Sequence, residues 1–93
     1  AAVLIMETAD PEVLRDLERW MRRAVPPGDP LFQHTAEGPD DMPAHVRTAL
    51  TPISLSIPVL DGRPALGTWQ GIFVYEHRDR GHRRRVAAHL SGT

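Results

Sequence analysis

Between His34 and His45, two histidines and three carboxylates (Glu37, Asp40 and Asp41) fall within twelve residues. Imidazole titrates near neutral pH and ligates divalent ions in its neutral form. Carboxylates add the negative charge that such an ion needs, so the cluster could hold a metal or shuttle protons. Gly38, Pro39 and Pro43 punctuate the segment, which reads as a loop running into a helix start. Asp41 and His45 are four apart and share one face if the helix has already begun. The spacing matches no standard zinc motif. The competing reading makes Asp40 or Asp41 a helix cap and leaves the histidines in solvent.

Other candidates are thinner. Glu7 ends an apolar run, where a carboxylate is costly unless paired or exposed. Trp69 could stack on a flat heterocycle, and Gln70 could donate and accept at its edge. The favoured reading of Trp69 is a core side chain, which leaves Gln70 the better site candidate. His82 with Arg83, Arg84 and Arg85 could hold a phosphate, but such a run more often forms a solvated strand entry. Glu76 and Arg78 lie two apart on a predicted strand and are expected to pair on one face.

These residues need elements to position them. Ala2–Ile5 predicts a short buried strand. Asp10, Pro11 and Glu12 form a helix start: a cap, a proline at the first helical position and an acid in the first turn. Val13, Leu14, Leu17, Trp20, Met21 and Val25 recur at helical spacing. Arg22 and Arg23 suit the C-terminal end, and Pro26, Pro27 and Gly28 stop the helix. A second, short helix is expected from Pro43 to about Leu50. Alternation from Ile53 to Val59 predicts a half-buried strand, with Pro58 at an edge. Asp61 and Gly62 signal a hairpin turn. Ala65–Thr68, Ile72–His77 and Arg84–Leu90 complete the expected strands. The sum is an α+β fold of mostly antiparallel, sandwich-like sheets, with one long amphipathic helix and one short one.

Composition narrows the chemistry. The 93 residues make one domain, 1–93, with a modest core that oligomerisation would support. There is no cysteine, so thiolate nucleophiles, disulfides and Cys-ligated zinc are out. All 11 basic residues are arginines, which excludes a lysine Schiff base and a Walker-type phosphate loop. A net charge of −1 and 5% aromatic residues argue against a nucleic-acid partner. No apolar run is long enough to cross a membrane and no signal peptide is visible, so a cytoplasmic protein is expected.

The ordered set of motifs is more specific than any one piece. It runs His34, Glu37-Gly38, Asp40-Asp41 and Ala44-His45. It continues with Pro58-Val59-Leu60-Asp61-Gly62, Leu66-Gly67-Thr68-Trp69-Gln70-Gly71 and Glu76-His77-Arg78. The set resembles the YjbQ family, also described as secondary thiamine-phosphate synthases, from Ala1 to about Leu90. In that family the domain begins earlier, with further strands and a His-Thr-Thr segment, so the chain reads as N-terminally incomplete. Met6 stands where the family often has asparagine. The resemblance implies weak thiamine-phosphate synthase activity, joining a pyrimidine-methyl diphosphate to a thiazole phosphate. It also implies a homotrimer and a phosphorylated small-molecule substrate. His34, Glu37, Asp40, Asp41 and His45 are then the expected catalytic residues. Glu7, Trp69 and Gln70 are the expected substrate contacts. Glu37, Asp40 and Asp41 would hold a divalent metal such as magnesium, with His34 and His45 as proton carriers or ligands. The alternative is a non-catalytic oligomeric protein that binds a small phosphate metabolite or anion.

Overall fold

The computed structural model describes residues 1–8 and 10–93. Six elements follow one another: β1 (Ala2–Glu7), α1 (Pro11–Ala24), α2 (Asp41–Leu50), β2 (Val59–Leu60), β3 (Arg63–Pro64) and β4 (Gln70–Tyr75). β1 pairs antiparallel with β4, and β2 pairs antiparallel with β3. The fold is α+β, as the sequence predicts.

α1 begins where its start signals stand. The Asp10 carboxylate accepts a hydrogen bond from the Glu12 N–H at 2.9 Å, and Pro11 opens the helix. This satisfies one of the amides that a helix start leaves without a partner. The helix closes at Val25, whose N–H donates to the Met21 carbonyl at 2.8 Å. Its apolar stripe faces the sheet, where Leu14 and Leu17 line a cleft with Met6, Phe73 and Tyr75. The stripe is only partly covered, and no residue of α1 is fully buried.

The register sorts the sheet into two faces. Ala2, Leu4 and Met6 oppose Tyr75, Phe73 and Gly71. Alternation along a strand puts these six on one face, under α1. Val3, Ile5 and Glu7 share the other face with Val74, Ile72 and Gln70. A polar tie joins both helices to the sheet. Tyr75 donates its hydroxyl to Glu18 at 2.6 Å, and the buried Arg47 guanidinium reaches Glu18 at 3.0 Å. Burial and the adjacent Glu18 carboxylate push the Tyr75 hydroxyl pKa up to about 12. The C-terminal end of α2 meets the sheet through Val3, whose N–H donates to the Pro52 carbonyl at 3.1 Å.

Four expectations need correction. The second helix starts at Asp41, so Pro43 lies inside its first turn, where a missing N–H is harmless. Ile53–Pro58 is not a strand. Its alternation has no neighbouring ladder among the described residues, and Ile53 is exposed. The hairpin forms at the expected turn, with Asp61 at φ 51° and Gly62 at φ 75°. Consecutive positive φ values are those of a type I′ turn. Its returning strand is Arg63–Pro64 rather than Ala65–Thr68. Arg84–Leu90 is likewise no strand, and Val86 and Leu90 stand exposed along it. Alternation marks a potential strand, but a strand also needs a partner for its backbone groups.

Candidate metal centre

α2 and the preceding loop build one converging group. Gly38 adopts φ 105°, a conformation open to glycine, and turns the chain back toward the start of α2. Asp41 takes the first helical position, and its N–H donates to the Gly38 carbonyl at 3.4 Å. One helical turn on, His45 projects from the same face. His34 arrives from the loop after the turn at Asp29, whose carboxylate accepts from the Leu31 N–H at 2.9 Å.

The Asp41 Oδ2 atom lies 2.8 Å from His34 Nε2 and 3.2 Å from His45 Nε2. The two imidazole rings meet edge to face, with centroids 5.6 Å apart. One donor atom from each of the three residues lies within 4.8 Å of the others. Asp41 is buried, whereas both histidines are exposed. The group is thus anchored by a buried carboxylate and open to solvent. Its other oxygen, Oδ1, receives Arg78 Nη1 at 2.6 Å. That hydrogen bond holds the Asp41 carboxyl below its ordinary pKa, against the opposing effect of burial; His34 lowers it further. Asp41 is therefore a carboxylate across the neutral range, as a metal ligand must be.

The other candidates sit farther out. Glu37 Oε2 is 3.9 Å from His34 Nε2, on the exposed rim. Asp40 turns aside to accept the Asp79 N–H at 3.2 Å and lies 4.0 Å from Arg78 Nη1. Glu7 and Gln70 are register partners at the end of the sheet away from Tyr75. Five residues of strand, about 17 Å, separate Gln70 from Tyr75. The Gln70 side chain accepts the Gly67 N–H at 2.6 Å. Trp69 is 64% exposed, so the expectation of a core tryptophan is overturned. Its neighbours form a turn beside a two-stranded sheet, and no layer covers that side among the described residues.

Arg78 is the residue that sequence reasoning misplaced. Its side chain goes to Asp41, while Glu76 pairs with Arg84 through Nη2 at 2.6 Å and Nε at 2.8 Å. The Arg84 hydrogen bond lowers the Glu76 pKa to about 2. Only the Arg78 N–H, at 3.0 Å, contacts Glu76. The chain leaves β4 at Tyr75, so strand alternation no longer applies at Arg78.

Two hollows flank the centre. One, of about 420 Å³, is walled by Phe32, His34, Pro39 and Met42. The other, of about 560 Å³, is bordered by Arg78, Arg80, His82 and Arg84, together with Asp40 and Asp79.

The whole chain, residues 1–93, matches the family model described as UPF0047 protein YjbQ-like. The chain belongs to the YjbQ family. It is 51% identical over 92 residues to the UPF0047 protein sll1880 of Synechocystis, covering 99% of this chain and 63% of that protein. It is 42% identical to the YjbQ protein of Salmonella typhimurium, covering 99% of this chain and 66% of that one. The chain thus spans a little under two thirds of these relatives. A crystal structure of an uncharacterised YjbQ/UPF0047 protein from Clostridium acetobutylicum superposes with a TM-score of 0.65 at 38% identity. That match covers 76% of this chain and 52% of the other. The likeness supports the α+β fold described above.

Proposed function

We propose that this chain carries the divalent-metal centre of an enzyme acting on small phosphorylated substrates, of the thiamine-phosphate synthase type. One observation carries the reading: His34, Asp41 and His45 bring one donor atom each within 4.8 Å of the others, with both histidines exposed to solvent. Three protein ligands and a free position are the pattern of a catalytic rather than a structural metal site. Two imidazoles shift the choice of ion from magnesium toward zinc, iron or nickel.

The reaction comes from the resemblance to the synthases. The bond between the pyrimidine methylene carbon and the diphosphate oxygen breaks, and the diphosphate leaves with the electron pair. The thiazole nitrogen then donates its lone pair to that carbon. A bound ion would supply positive charge for the departing oxygens. Asp41 is held in place for this by Arg78, and Glu37 stands at the rim, within reach of His34. The hollow beside Phe32 and Met42 offers apolar walls for a flat ring. Glu7, Trp69 and Gln70 have no part in this proposal.

Metal content after dialysis against zinc, together with turnover of the two phosphorylated substrates with and without chelator, tests the reading. We expect one ion per chain and product formation that chelator abolishes. His45→Gln should lose both while the thermal midpoint stays close to wild type, because glutamine costs little on a short exposed helix face. Unchanged turnover with a depressed midpoint would make His45 structural and remove the centre. Tight binding of the phosphorylated compounds without product would favour a non-catalytic binding protein.

A further inference from the structure

The hollow beside Asp41 has a charge balance that depends on the metal centre. Arg78 is neutralised by Asp41, and Arg84 by Glu76. The Asp79 carboxylate is answered by Arg22 at 3.3 Å. What remains is Asp40 against Arg80, so without an ion the fixed charges around the hollow cancel. Arg80 and His82 line this space and have no hydrogen-bond partner among the described residues. Arg78 uses only Nη1 toward the acids, at 2.6 Å to Asp41 and 4.0 Å to Asp40. Its remaining N–H groups are donors to spare.

A divalent ion on Asp41 Oδ2 changes this balance. It brings two positive charges next to a carboxylate that Arg78 already neutralises. The ion would stand behind Arg78, across the shared Asp41 carboxylate, and leave two positive charges uncompensated at the border of the hollow, which matches a phosphate dianion. We propose that this hollow is a metal-gated phosphate site, in which Arg78 and Arg80, with His82, hold a phosphate oxyanion once His34, Asp41 and His45 hold their ion. The proposal rests on the metal reading above and deepens it by placing the phosphate end of the substrate. Pro39 borders both this hollow and the one walled by Phe32 and His34, so the two are neighbours. The coupling is reciprocal, because any ligand that binds better with metal present must also tighten the metal.

The test titrates inorganic phosphate by calorimetry into the full chain, first metal-free, then loaded with one equivalent of zinc and freed of excess. We expect phosphate affinity to rise by about tenfold or more on loading. In the loaded chain, Arg80→Ala should lower phosphate affinity by about tenfold, as for the loss of one charge-assisted contact, and leave zinc affinity within about twofold. His45→Gln should abolish zinc uptake and leave phosphate affinity at the metal-free level. Equal phosphate affinity in both states overturns the gating. Full affinity in loaded Arg80→Ala also overturns the site, because phosphate would then sit on the ion alone. Zinc uptake with no phosphate binding removes this proposal and leaves the metal centre standing. Failure of the wild-type chain to take up zinc removes both.

Discussion

Asp41 serves three partners with two oxygens. Oδ2 faces the histidines and Oδ1 faces Arg78, so the carboxylate cannot rotate without losing one of them. Partners of this kind orient a ligand that they do not replace, and their loss typically weakens metal binding by about 10–100-fold. Arg78→Met should therefore lower zinc affinity by about that factor while the stoichiometry stays at one ion per chain. Competition with a chromophoric chelator measures it; unchanged affinity would make the Arg78–Asp41 pair a mere surface contact. The histidine–aspartate part of this group was readable from the sequence. Asp41 and His45 stand one helical turn apart, and such spacing translates directly into a shared face. Arg78 was not readable, because its role depends on where the chain goes after β4. Trp69 failed for a related reason. Its size argues for burial, but burial needs a covering layer that no local pattern reports.

Among the elements, turns and caps set by local signals are where the sequence puts them, whereas an apolar pattern alone does not decide which strands find a ladder. The cap at Asp10 and the positive φ values at Asp61 and Gly62 concern only a few neighbouring residues. The β1–β4 pair spans most of the chain, yet both strands were recognisable from their apolar character. Ile53–Pro58 and Arg84–Leu90 have the same character and no ladder among the described residues. Where α2 ends against the β4 exit, His77 is buried with Nε2 3.1 Å from the Thr51 hydroxyl. Its Nδ1 has no hydrogen-bond partner among the described residues. Burial lowers its pKa to about 4, helped by the positive Arg47. A histidine lowered in this way is neutral in the folded chain while the unfolded chain still takes up a proton. Its contribution is therefore complete above the unfolded value of 6.5 and is lost as pH falls from there toward about 4. Urea unfolding across that window should show stability falling by up to about 3 kcal/mol. His77→Gln should lack that part of the slope. An equal slope in the variant would assign the pH dependence to other groups.

The whole molecule is more open than a folded chain of its length usually is. Its radius of gyration is 15.9 Å, with extents of 52 × 27 × 21 Å. A compact chain of this size has a radius of about 12 Å. Among the described residues the buried apolar side chains are few and small: Ala2, Val25, Pro43 and Ala44. The larger ones stand in the open, with Leu17 44% and Trp20 57% exposed on the α1 stripe, and Ile72 and Val74 exposed on the far face of β4. At about 25 cal/mol per Å² of apolar surface removed from water, such a stripe has more to gain from contact than from solvent. We therefore expect self-association, with the homotrimer as the proposed closed form. A symmetric ring would let every copy use the same stripe and leave none unpaired. Sedimentation at micromolar concentration should give a mass of about three chains, and Leu17→Glu, which sets a charge on the stripe, should shift it toward smaller species. That variant should keep its zinc, since α1 supplies no donor to the centre. A stable monomer for the wild-type chain would contradict the association. A trimer untouched by Leu17→Glu would move the contact from the helix stripe to the open sheet face.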